Sequence, residues 1–163
     1  MPEPLGPALQ TTSFVDANHA GNVVTRHSHT GIQIFINRAP VIAFSKRQNT
    51  CETSTFGAEG VAMRIQRDLT VALRLKLRSF GARLEGPTDV HCDNLGLCNN
   101  VMYPESTLTK KHNALNYHVS REAVARGIMR VCKEDTDTNC ADAYTKLMTY
   151  SKKDELLSFL EIK

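Results

Sequence analysis

Residues 31–45 read GIQIFINRAPVIAFS. Gly31 to Asn37 is rich in β-branched and aromatic residues, Arg38-Ala39-Pro40 supplies a turn, and Val41 to Ser45 is a second β-rich run. The stretch therefore predicts an antiparallel hairpin. Just upstream, Thr12 to Ala17 (TSFVDA) reads as a short strand with Asp16 near its end. Three strands thus precede any helix. Downstream, Ser54 or Thr55 can cap a helix in which Val61, Ala62, Ile65, Leu69, Ala72, Leu73 and Leu77 recur at three- and four-residue spacing until about Phe80-Gly81.

Beyond that helix, Gly86-Pro87 makes a turn and Thr88 to Cys92 a short strand that delivers Asp93. A short helix through Val101 follows. Leu108, Leu115, Val119, Ala123 and Val124 predict a helix from about Thr107 to Arg126, ended by Gly127. Ile128 to Cys132 is the fifth strand. An acidic loop then leads to a closing helix containing Ala141, Tyr144, Leu147, Met148, Leu156, Leu157 and Leu160, with a break expected near Ser151. The order of elements predicts an α/β fold: a five-stranded mixed sheet, its first three strands antiparallel, flanked by helices.

The chain has 163 residues, 41% hydrophobic and 23% charged, which suits one packed domain and excludes disordered and filamentous classes. Residues 1–11, with three prolines, read as an extended lead-in and residues 12–163 as the domain. No apolar run reaches the roughly 18 residues a membrane helix needs, and MPEPLGPALQ lacks the pattern of a signal peptide. Cys51, Cys92, Cys98, Cys132 and Cys140 form no CxxC pair and read as reduced core thiols of an intracellular protein. The net charge of +3 conceals local asymmetry. Residues 61–84 hold six basic residues against one acid, and 105–133 six against two, whereas 134–142 carry four acids and no base.

Four acids stand at element ends: Asp16 on the first strand, Glu59 early in the long helix, Asp93 after the fourth strand and Asp142 at the opening of the last helix. Neighbouring strands of an α/β sheet can bring such ends to one site. Four carboxylates together would repel unless cations neutralise them, and oxygen ligands select magnesium or manganese over zinc. Two such ions can hydrolyse a phosphodiester. Equally, isolated acids serve as helix caps and surface charge.

The succession FVDANHAG (14–21), SHTGIQIFINRAPVIAFSKRQNTCETSTFGAEGVAMR (28–64), VHCDN (90–94), KKHNALNYHVSRE (110–122) and TNCADAYTK (138–146) resembles the ribonuclease H domain of copia-type retrotransposon Pol polyproteins. The blocks fall in order over about nine-tenths of the chain, and PEPLG resembles the segment just upstream in such polyproteins. The resemblance implies a ribonuclease H fold that cleaves the RNA strand of an RNA-DNA hybrid during reverse transcription, leaving a 5′-phosphate and a 3′-hydroxyl. It implies two Mg2+ ions, for which Mn2+ can substitute. Asp16 would bridge them, Glu59 and Asp93 would complete one site, and Asp142 would belong to the other. It further implies an upstream reverse transcriptase domain as partner, no membrane, and a cytoplasmic virus-like particle as location.

Hybrids are distinguished by 2′-hydroxyls across a wide minor groove, so recognition should follow backbone and shape. Candidate nucleic-acid contacts are Asn18, Asn94, Lys110, Lys111, His112 and Arg121. Several residues depart from the family pattern. Asn18 and His19 replace a frequent Asp-Trp pair, Ala43 a frequent Trp, Ala114 a frequent Asp, and Gly60 follows the glutamate where Tyr, Phe or Leu is usual. Many ribonucleases H carry a histidine near the last acid, but none lies between Val119 and Asp142. His112 and His118 read as packing or hydrogen-bonding groups. Only a loop fits between the two helices around Pro104, leaving no room for a basic hybrid-gripping helix. The rival reading is a domesticated or decayed domain that keeps the fold as a non-catalytic structural or nucleic-acid-binding subunit.

Overall fold

The computed structural model describes residues 5–103, 105 and 111–158. Its elements are β1 (Leu5–Leu9), β2 (Thr11–Asn18), β3 (His29–Ile36), β4 (Ala39–Arg47), α1 (Thr55–Ser79), β5 (Ala82–Leu84), β6 (Thr88–Cys92), α2 (Leu95–Met102), α3 (Lys111–Ala125), β7 (Met129–Lys133), a 3-10 helix (Cys140–Tyr144) and α4 (Tyr150–Leu157). The main sheet has the order β4-β3-β2-β6-β7. Strands β2, β3 and β4 pair antiparallel, and β6 and β7 join in parallel. This is the mixed five-stranded sheet read from the sequence.

The strand alternation divides the sheet into two faces. Val15 and Ala17 of β2, Ile32 and Ile34 of β3, Val90 and Cys92 of β6, and Met129 and Val131 of β7 bury against Ala58, Ala62 and Met63 of α1, Leu97 and Val101 of α2, and Tyr117 and Ala123 of α3. Ser54 caps α1 by accepting the Gly57 N–H at 3.1 Å. One cation of α1 is held within the fold. Arg74 donates to the Gly86 carbonyl at 2.9 Å and the Thr88 hydroxyl at 3.2 Å, fastening the helix to the start of β6.

Several local readings change. The extended lead-in is tied down, since Leu5–Leu9 forms a separate parallel ladder with β5. The single closing helix becomes the 3-10 turn and α4, so Asp142 sits inside a tight turn instead of opening an α-helix. The break falls at residues 145–149, ahead of Ser151. On α3 the buried positions are Tyr117, Ser120 and Ala123, while Leu115 is exposed. All five cysteines are free thiols, but Cys51 is exposed, unlike the buried Cys92, Cys98 and Cys140. Among the described residues no helix is long and apolar enough to cross a membrane.

Candidate active site

The acids converge because the sheet aligns their carriers. Asp16 pairs in register with Gly31 on β3, and Val15, one residue earlier, pairs with Cys92, the residue before Asp93. The face opposite α1 receives the 3-10 turn, which is pinned through side chains. The Asn139 amide donates to the Val15 carbonyl at 3.2 Å while its oxygen accepts the Ala141 N–H at 3.1 Å. The Tyr144 hydroxyl donates to Gln33 Oε1 at 2.6 Å, and the Ser45 hydroxyl to the Tyr144 carbonyl at 2.7 Å.

Close approach needs a glycine at the contact. A Cβ on Gly31 would lie 2.7 Å from the Ala141 carbonyl oxygen, 2.6 Å from Thr145 Cγ2 and 3.0 Å from Tyr144 Cβ. Any side chain at this position would push the turn, and Asp142 with it, off the sheet.

The result is a cluster in which one carboxylate oxygen each from Asp16, Asp93 and Asp142 lies within 4.8 Å of the others. Asp16 and Asp142 are buried and Asp93 half-buried. Glu59, buried on α1, is not one of these three, but it feels the charges of Asp93 and Asp16. Burial, and next the charge of Asp93, raise its pKa to about 7, against a hydrogen bond from Asn94 that lowers it. Burial likewise raises Asp142 to about 6, opposed by Lys146. Asp93 is raised as well, by burial first and then by Asp16. These shifts express the cost of crowding acids in a poorly solvated place.

Two further residues, unremarked in the sequence, complete the cluster. The Lys146 ammonium donates to Asp142 Oδ2 at 2.8 Å and stands 3.7 Å from Asp16 Oδ2. The Thr145 hydroxyl donates to Asp16 Oδ2. The i, i+4 spacing of Asp142 and Lys146 was a visible signal for the first. Nothing in the sequence marked Asn139 or Gly31, whose roles depend on contacts across more than a hundred residues.

The candidate nucleic-acid contacts fare unevenly. The Asn18 amide donates to the Thr145 carbonyl at 3.1 Å, and Asn94 caps α2 by accepting the Leu97 N–H at 3.0 Å. Both border the acids while holding backbone. Arg121 lies elsewhere, donating from Nε to the Asn100 carbonyl at 2.5 Å. Lys110 lies outside the described residues, and Lys111 and His112 belong to α3 with their side chains outside them. His118 is exposed and so supplies no packing.

Divalent cations fit this donor set. Its ligands are oxygens, and two buried carboxylate oxygens, Glu59 Oε2 and Asp142 Oδ1, have no hydrogen-bond partner. Orphaned buried carboxylate oxygens are costly, and a hard cation satisfies them.

No family model matches the chain. Its sequence is 29% identical over 144 residues to a retrovirus-related Pol polyprotein from transposon RE2 of Arabidopsis thaliana, covering 86% of this chain and 10% of the relative. The chain thus spans about a tenth of the length of the curated relatives it matches. Among solved structures, the N-terminal RNase H domain of a Mycobacterium tuberculosis protein superposes with a TM-score of 0.65 at 11% identity, covering 93% of this chain and 98% of that one. LC11-RNase H1, solved in complex with an RNA/DNA hybrid, superposes with a TM-score of 0.63 at 13% identity, covering 83% and 94%. Sequence and fold agree: the chain has a ribonuclease H fold and is similar in sequence to the retrovirus-related Pol polyproteins of plant transposons.

Proposed function

We propose that this chain is a metal-dependent endonuclease that hydrolyses the RNA strand of RNA-DNA hybrids, using two divalent cations held by Asp16, Glu59, Asp93 and Asp142. The observation that supports this most is the convergence of Asp16, Asp93 and Asp142 within 4.8 Å on a ribonuclease H fold. When bound, Mg2+ or Mn2+ supplies Lewis-acid stabilisation of the phosphodiester and lowers the pKa of a water.

The chain's own residues do the positioning. Asp16, central in the sheet, has its carboxylate oriented by Thr145, and Asn139 holds the turn that carries Asp142 against it. Asn94, next to Asp93 in the chain, fixes the start of α2. None of the four acids needs to attack phosphorus. Their task is to present oxygen ligands at fixed spacing, which preorganises the site before substrate arrives.

Selectivity would come from the hybrid's backbone and 2′-hydroxyls. The partner we propose is an upstream reverse transcriptase domain in the same polyprotein, which would raise the local substrate concentration. The test is cleavage of a 5′-labelled RNA strand presented in a hybrid, in duplex RNA and alone, and of a labelled DNA duplex, each with Mg2+ or Mn2+ and with EDTA. Metal-dependent cutting confined to the hybrid is expected. Cutting of DNA, or none of any substrate with either metal, overturns the reading.

A further inference from the structure

Lys146 occupies an unusual place for a cation in a site that must accept others. Its ammonium lies 2.8 Å from Asp142 Oδ2 and 3.7 Å from Asp16 Oδ2, on two of the acids whose oxygens group within 4.8 Å. Among the described residues, every ion pair made by Asp16 or Asp142 is with Lys146. We propose that Lys146 is a resident counter-cation of the acid cluster, and that a divalent ion binding between Asp16 and Asp142 must expel its ammonium group. The proposal rests on the metal-site reading above and adds to it a competition built into the chain.

Three features carry the argument. A Mg2+ ion sits about 2.0 to 2.1 Å from its oxygen ligands, so an ion shared by Asp16 and Asp142, whose oxygens group within 4.8 Å, would crowd an ammonium already 2.8 Å from one of these carboxylates and 3.7 Å from the other. Two cations that close repel, and the divalent one attracts the acids more strongly. The backbone need not move for the exchange. Lys146 and Thr145 both donate their N–H groups to the Asp142 carbonyl, at 3.0 and 3.1 Å, so the turn stays closed while the side chain rotates. The lysine side chain is 35% exposed, against 5% for Asp142 and 3% for Asp16, which leaves it a route to solvent that the acids lack.

The arrangement solves a folding problem. Without a cation, three carboxylates this close would destabilise the site. Lys146 supplies one positive charge in place during folding, with no dependence on metal supply. Competition is the cost, because metal affinity is lowered by whatever the lysine contact contributes. A mere structural staple between residues 142 and 146 would have no such effect on metal binding.

Isothermal titration with Mg2+ alone, on the parent, Lys146→Met and Asp16→Asn, tests this directly. Lys146→Met should bind Mg2+ roughly tenfold or more tightly, since a like charge leaves the cluster, and Asp16→Asn should lose binding. A second measurement needs no variant. Amine acetylation read by mass spectrometry should show Lys146 modified several-fold faster when Mg2+ is added, with exposed Lys76 unchanged as the internal control. Equal Mg2+ affinity in parent and Lys146→Met, or unchanged Lys146 labelling while Mg2+ binds, overturns the counter-cation and leaves the metal site standing. Absence of Mg2+ binding in both parent and Lys146→Met removes the metal site, and the proposal with it.

Discussion

Gly60 shows how a family departure is absorbed by a single neighbour. The sequence marks it as a lost packing side chain in a helix, where glycine costs about 0.5 to 1 kcal/mol relative to alanine. The structure fills the gap from α3. Tyr117 is buried, its ring stacks on Phe56 with centroids 5.0 Å apart, and its hydroxyl donates to the Phe56 carbonyl at 3.0 Å. A Cβ at position 60 would stand 2.9 Å from the Tyr117 hydroxyl. Gly60→Ala should therefore destabilise by about 1 kcal/mol net, because overpacking outweighs the gain in helix propensity. Urea unfolding measures it, and a stabilised variant would show that Tyr117 yields freely. This exchange was illegible in sequence, since a tyrosine 57 positions away gives no local sign of where its ring lies. The four acids stood out in the sequence by their places near element ends and by the family resemblance together, and the structure groups three of them, Asp16, Asp93 and Asp142.

At the scale of elements, periodicity identified the hairpin and α1 because their hydrophobic faces are regular. The 3-10 turn was read as helix because Ala141, Tyr144 and Leu147 keep helical spacing. Instead the chain from Cys140 to Lys146 is shaped by tertiary hydrogen bonds from Asn139, Tyr144 and Thr145, which local pattern does not encode. Gly31 is the hinge of this arrangement. Gly31→Ala should displace the turn, lower the melting temperature and weaken Mg2+ binding together, whereas Gly60→Ala should affect stability alone. Paired calorimetry on the two variants separates these outcomes, and full Mg2+ affinity in Gly31→Ala would contradict the role given to the turn. Ser54→Ala removes the cap of the helix that carries Glu59 and should cost about 1 kcal/mol in urea unfolding.

For the molecule as a whole, the pairing of the extended start escaped the sequence reading because its partner, β5, is three residues long and lies more than seventy residues away. The charge balance proved more informative locally than in sum, since its acidic stretch leads into Asp142. The metal-free chain should also depend on pH in a definite direction. Burial raises Glu59 from 4.5 to about 7 and Asp142 from 3.8 to about 6, so between those limits the folded state holds more protons than the unfolded. Stability from these groups is greatest below their unfolded values and is lost as pH rises through the folded ones. Melting in EDTA from pH 4.5 to 7.5 should show this fall, and Glu59→Gln should flatten it. An unchanged slope in that variant would count against the buried glutamate.

The most direct test of the central claim is single-turnover cleavage of a labelled RNA-DNA hybrid in Mg2+ by the parent and by Asp93→Asn, with matched folding checked by circular dichroism. Asp93 is the most exposed of the three clustered acids, so its amide variant should fold. The account predicts cleavage by the parent and a loss of at least about a hundredfold in the variant, the scale of removing a group that stabilises a transition state electrostatically. Cleavage that survives Asp93→Asn undiminished would contradict the assignment of the site, and a folded parent that binds Mg2+ yet leaves the hybrid intact would contradict the activity itself.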